Sequence, residues 1–144
     1  MAIPARVSII TLGVSDLERS RSFYLSIGWE EVSSSVPGVI YWFKTAETYL
    51  GLHPYEALAK DGRMPPGNRE GFGGATFAIC LESDDAVVAA FEEAVAAGAT
   101  VLKAPEPAIF DGLSAYVGDP DGYPWELAHN PHFPIADDGR ITIP

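Results

Sequence analysis

Asp119-Pro120-Asp121-Gly122-Tyr123-Pro124-Trp125-Glu126-Leu127 is the stretch whose reading decides the fold. Pro and Gly punctuate its first half, so it reads as a tight turn. Its second half reads as a short strand carrying one carboxylate, Glu126, between the apolar residues Trp125, Leu127 and Ala128. Side chains alternate across a strand, so Glu126 points away from Trp125 and Leu127. The face it points to is either solvent or a cavity holding a ligand or metal.

Size and composition bound the rest. The chain has 144 residues, 47% hydrophobic and 20% charged, which fits one folded domain. No apolar run approaches the roughly 20 residues of a membrane span. The first residues show no basic region followed by a long apolar stretch, so a cytoplasmic protein is expected. The net charge of −11 repels phosphate backbones and anionic lipids, which argues against nucleic-acid and membrane partners. Cys80 is the single cysteine, so intramolecular disulfides and CxxC metal sites are excluded.

Moving outward from the opening stretch, two similar halves emerge. Val7–Val14 reads as a strand, and Ser15-Asp16-Leu17-Glu18 has the pattern of a capping box with Ser15 as the cap. A helix to about Ser26 follows, ended by Gly28. Strands are expected at Trp29–Ser33, Val39–Thr45 and Tyr49–His53. The second half repeats this order. It has a strand at Ala75–Leu81, a Ser83-Asp84 cap, a helix to about Ala97 with Val87, Val88, Phe91 and Val95 inward, and then Gly98. Strands are expected at Thr100–Lys103, Leu113–Gly118 and Pro124–His129. The expected organisation is a single domain over 1–144. Module one covers about 5–54, a linker about 55–74, module two about 75–131 and a C-terminal tail 132–144. Within the linker, Pro54–Asp61 reads as a short helix, and the Gly- and Pro-dense stretch after it as irregular chain or a flap. Ile141-Thr142-Ile143 reads as an edge strand.

Two strand–helix–three-strand modules, the Val14-Ser15-Asp16-Leu17…Phe23-Tyr24…Gly28-Trp29 opening and the Asp-Pro-Asp-Gly…Glu-Leu close together resemble the vicinal oxygen chelate superfamily. Glyoxalase I, bleomycin-resistance binding proteins and extradiol dioxygenases belong to it. The resemblance covers roughly Arg6 to Pro131. It implies an α+β fold in which two βαβββ modules form a curved, cup-like mixed sheet holding a metal or a small molecule. It also implies a homodimer.

Metal-dependent members of that superfamily draw His and Glu ligands from the first and last strands of each module. The corresponding places here are Ile9, Gly51, a residue of Thr76–Ile79 and Glu126. Only Glu126 carries a ligating group. One carboxylate does not hold a catalytic divalent ion, so no cofactor is expected. A divalent metal would need an improvised set of His53, Cys80 and Glu126. His129 and His132 read as surface or tail residues.

Without a metal, Glu126 has three readings. It binds a donor on a ligand, acts as a general acid or base, or bonds a neighbouring hydroxyl such as Thr11 or Thr76. Trp42 points opposite to Tyr41 and Phe43, and Gly51 leaves room beside Tyr49. Tyr116, Phe110 and Phe72 are expected near the rim, although any single ring more often fills the core. Thr11, Trp42, Tyr49, His53, Thr76, Tyr116 and Glu126 are therefore the candidate ligand-binding residues, with Glu126 also the candidate catalytic group. An aromatic cup with one acid suits a small aromatic or cationic organic molecule. The expected function is metal-independent binding of such a molecule, the alternative being a glyoxalase-like lyase or isomerase. Gly71-Phe72-Gly73-Gly74 precedes a strand rather than a helix, so it is not a phosphate-cradling loop.

Overall fold

A computed structural model of the chain describes residues 2–109 and 111–144. It is an α+β protein of two βαβββ-like modules. The first compact unit spans residues 1–67 and the second 68–144. No helix among the described residues is long and apolar enough to cross a membrane.

The first unit contains β1 (Ile9–Val14), α1 (Leu17–Ser26), β2 (Tyr41–Lys44), β3 (Tyr49–Pro54) and α2 (Tyr55–Asp61). β3 is central, parallel to β1 and antiparallel to β2. Strand alternation sends Leu12, Val14, Tyr41, Phe43, Leu50 and Leu52 to one buried face. Phe23 and Tyr24 of α1 are buried with them, and the Tyr24 ring lies 5.8 Å from that of Phe43. Tyr41 and Phe43 therefore fill the core, while Trp42 takes the opposite face, as alternation requires.

Three local expectations are corrected here. Asp16, not Ser15, caps α1, its carboxylate accepting the Arg19 N–H at 3.0 Å. Asp16 thus corresponds to Ser83, which accepts from the Ala86 N–H. The strand expected at Trp29–Ser33 is reduced to a bridge between Glu31 and Phe43, with Val32 N–H on Trp42 O and Lys44 N–H on Glu30 O. Ser35 Oγ accepts the Trp42 N–H at 2.9 Å, so a side chain takes a donor that would otherwise extend the ladder. The strand expected at Val39–Thr45 shortens to β2 because Val36–Ile40 closes a turn on itself, with Gly38 at φ +77. On the far face of β1, α2 packs close to Gly13. A Cβ there would lie 2.8 Å from the Tyr55 ring and 3.1 Å from its Cα.

The second unit contains β4 (Phe77–Cys80), α3 (Asp84–Ala96), β5 (Thr100–Pro107), β6 (Leu113–Gly118) and β7 (Pro124–His129). Its sheet order is β4-β7-β6-β5, with β4 parallel to β7 and the other pairs antiparallel. β6 and β7 match their expected bounds. α3 buries Val87 and Ala94, whereas Val88 and Val95 are each 38% exposed, correcting the expected inward face. The small Ala94 lies seven residues after Val87, two helical turns on, and leads the chain to its burial stripe. β5 outruns its expected end despite Pro105 and Pro107 because it is an edge strand, where a missing N–H breaks no interior ladder. Residues 134–142 close a hairpin of their own, with Ile135 bridged to Ile141, so Ile141–Ile143 adds no strand to the main sheet.

Gly112 has φ +76, and a Cβ on it would stand 1.9 Å from the His129 carbonyl oxygen. Gly122, at φ +84, has open space around it. In urea unfolding, Gly122→Ala is expected to cost about 1–2 kcal/mol from its backbone angle alone. Gly112→Ala should cost at least about 3 kcal/mol because backbone must also move. Equal losses would contradict this packing.

Candidate functional site

The β6–β7 register assembles the site. Ala115, Val117 and Leu127 lie on one face and are nearly fully buried. Alternation places Ser114, Tyr116, Glu126 and Ala128 on the other. Tyr116 sits directly across from Glu126, Ala78 flanks Glu126 from β4, and Lys103 of β5 pairs with Tyr116. The turn before β7 is rigidly specified. Asp119 is buried, and its carboxylate accepts the N–H groups of Asp121 and Tyr123 at 3.0 and 2.9 Å. Arg69 pairs with Asp121 at 3.1 Å, tying the irregular segment to that turn.

Glu126 is half-buried and accepts a hydrogen bond from Ser114 Oγ at 2.8 Å. Lys103 Nζ in turn donates to Ser114 Oγ at 3.2 Å and lies 5.1 Å from the centre of the Tyr116 ring. Burial raises the Tyr116 phenol above its ordinary range. The charge of Glu126 and a hydrogen bond to it raise it further, and a hydrogen bond with Thr76 opposes them. Burial, with the Glu126 charge added, also raises the Cys80 thiol, which therefore stays protonated and weakly nucleophilic near neutral pH. The arrangement offers a carboxylate acceptor, a phenolic donor, a bridging hydroxyl and an ammonium on one sheet face.

The sequence candidates divide between the units. In the second, Thr76, Tyr116 and Glu126 come together. Tyr116 lies inside β6 rather than near a loop, and Glu126 accepts from the hydroxyls of Ser114 and Tyr116, with Thr76 bonded to Tyr116 instead. In the first, Thr11 and Trp42 flank Gly51 from the two neighbouring strands. A Cβ on Gly51 would lie 3.1 Å from Thr11 Oγ1 and 3.3 Å from the Trp42 ring. The room expected beside Gly51 is thus already taken. Tyr49 is exposed, and His53 Nδ1 bonds the Val39 carbonyl at 2.7 Å. Phe72 is exposed in the irregular segment, and Phe110 lies outside the described residues.

Sequence reading missed Ser114 and Lys103. Ser114 and Tyr116 alternate with Ala115 and Val117, which was the available signal for Ser114. Lys103 gave none, because β5 is irregular: its register shifts on both sides of Lys103.

The donor set does not fit a metal ion. Among the described residues, no group of three His, Cys, Asp or Glu side chains is placed to hold one. Of the improvised set, His53 belongs to the first unit and Cys80 and Glu126 to the second. β1 offers no ligating side chain in either register, nor does the stretch Thr76–Ile79 on the β4 side.

Residues 6–127 match the family described as Glyoxalase/Bleomycin resistance protein/Dioxygenase superfamily. A crystal structure of a glyoxalase-related enzyme from Fulvimarina pelagi is 32% identical, covering 97% of this chain and 99% of that one, with TM-score 0.89. A member of the same superfamily from Sphaerobacter thermophilus is 26% identical over 88% of this chain and 98% of its own, with TM-score 0.64. A family enzyme from Burkholderia phytofirmans, 21% identical over 87% and 98% with TM-score 0.77, shares the fold. No curated protein matches.

Because Glu126 raises the Tyr116 pKa, Glu126→Gln should bring it down toward its ordinary value of about 10, leaving the contribution of burial. Alkaline titration of tyrosinate absorbance, with Tyr116→Phe identifying the step, checks this. An unmoved step would contradict the contact. The folded-state pKa is raised, so the associated stability is present below the unfolded value and lost as pH rises through the folded one.

Proposed function

The chain belongs to the glyoxalase/bleomycin resistance protein/dioxygenase superfamily, and from that premise we propose that it is a metal-independent member that binds a small aromatic organic molecule. The ligand lies on the sheet face carrying Glu126, Tyr116 and Thr76. The observation that carries this reading is the donor set: Glu126 stands alone among the four family ligand positions, with Ile9, Gly51 and the β4 side contributing none. In place of a metal, Glu126 has Ser114 as its hydrogen-bond partner. A half-buried carboxylate beside a phenol is suited to orienting a ligand that brings its own donor. The homodimer expected from the resemblance is part of this proposal, and a monomeric mass by light scattering would remove it.

A second reading is supported by the Fulvimarina pelagi structure, described as a glyoxalase-related enzyme and 32% identical over nearly the whole chain. Under it, Glu126 is the acid/base of a metal-free lyase or isomerase, exchanging a proton with substrate while Ser114 holds the carboxylate in place.

One measurement tests the metal independence that both readings share, and a second separates them. Elemental analysis of purified protein should show no stoichiometric Zn, Ni, Mn or Fe, and tight retention of one of them would overturn metal independence. Glu126→Gln should weaken ligand binding by about tenfold, the worth of one charge-assisted hydrogen bond. A variant that keeps affinity but loses turnover favours the enzyme instead.

A further inference from the structure

Lys103 brings an ammonium to the Glu126 face. It sits on edge strand β5 between two irregularities of register, Val101/Lys103 and Lys103/Glu106. Bulges of this kind re-aim a side chain relative to a regular strand. Here the ammonium lies over the Tyr116 ring at 5.1 Å and within 3.2 Å of Ser114 Oγ. Its acidic neighbour on β5, the largely exposed Glu106, forms an ion pair with it at 3.9 Å, a weak contact at that exposure.

Ser114 shows what kind of group this pair accommodates. A single hydroxyl oxygen accepts from Lys103 and donates to Glu126. An ammonium has three donors and a carboxylate about four acceptor positions, so Ser114 does not saturate Lys103, and Ser114 with the Tyr116 phenol does not saturate Glu126. The Lys103 side chain is 34% exposed, so a ligand can reach it. The Tyr116 ring face, which would otherwise attract an external cation, already carries one.

We propose that Lys103 determines the charge selectivity of the site, which takes a small aromatic hydroxy acid: its carboxylate is held by Lys103 and its hydroxyl donates to Glu126. This rests on the binding reading above and makes its aromatic ligand an anion, in place of the cationic alternative expected from the sequence.

The test uses the full-length protein and three probes, mandelate, its neutral amide mandelamide, and benzyltrimethylammonium, with affinities from calorimetry or NMR titration. Mandelate should bind about tenfold more tightly than mandelamide, as expected for one charge-assisted contact, and more tightly than benzyltrimethylammonium. Lys103→Met should erase the preference for mandelate over mandelamide, and Lys103→Arg should retain most of it. Circular dichroism of both variants should match that of the parent. A parent preference for benzyltrimethylammonium, or a mandelate preference unchanged in Lys103→Met, overturns the role of Lys103 and leaves the binding reading standing. No binding of any probe at millimolar concentration overturns the binding reading, and this one with it.

Discussion

Ala115 and Val117 of β6 and Leu127 of β7 are buried almost completely on the face that α3 covers. Burying three such side chains is worth several kcal/mol at about 25 cal/mol per Å² of apolar surface. That energy fixes the register, because a slip of one residue would turn every side chain of the strand to the other face. The functional row depends on the same pairing. With Ala115 opposite Leu127 and Val117 opposite Trp125, Tyr116 must stand opposite Glu126 and Ser114 opposite Ala128. The polar network is thus held by apolar packing on the far side of the strands that carry it.

The two modules share this scaffold and differ in what they display on it. In each, the last strand of the module's sheet lies between a parallel first strand and an antiparallel neighbour. Thr11, Gly51 and Trp42 are in register in one unit, and Ala78, Glu126 and Tyr116 in the other. Where the central residue is glycine, Thr11 and Trp42 approach to within contact of the missing Cβ. Where it is glutamate, the first-strand partner is the small Ala78, and hydroxyls supply the hydrogen bonds. The sizes on neighbouring strands compensate for each other, as close packing requires. Restoring a carboxylate at position 51 would first have to displace Thr11 and Trp42.

Much of this architecture was legible because it is local. The Asp119–Gly122 turn, the glycine stops at Gly28 and Gly98, and the alternation in β6 and β7 all reveal themselves within a few residues. Where sequence reading failed, more than one partner or face was open to the same residues. Ser35 takes the Trp42 N–H and leaves the expected Trp29–Ser33 strand as a bridge. Asp16 and Ser15 both have oxygens able to cap α1, and only the final helix entry selects Asp16. On α3, Val88 and Val95 fit an apolar stripe by type, yet the helix turns Val87 and Ala94 to the sheet instead.

By itself the sequence determined the duplicated modules, the isolation of Glu126 among the family ligand positions, and the strand face that Glu126 occupies. Each of these follows from residue type and a period of two or 3.6 along the chain. Only the tertiary structure decided which groups meet Glu126. Lys103, Ser114 and Tyr116 precede it by 23, 12 and 10 residues, and ladder hydrogen bonds and the irregularities of β5 bring them onto one face. Cross-strand neighbours are set by register, and register is set by what the opposite face buries. That is the physical reason a carboxylate readable as a metal ligand emerges as the acceptor of a hydroxyl, beside a lysine no local pattern could have placed.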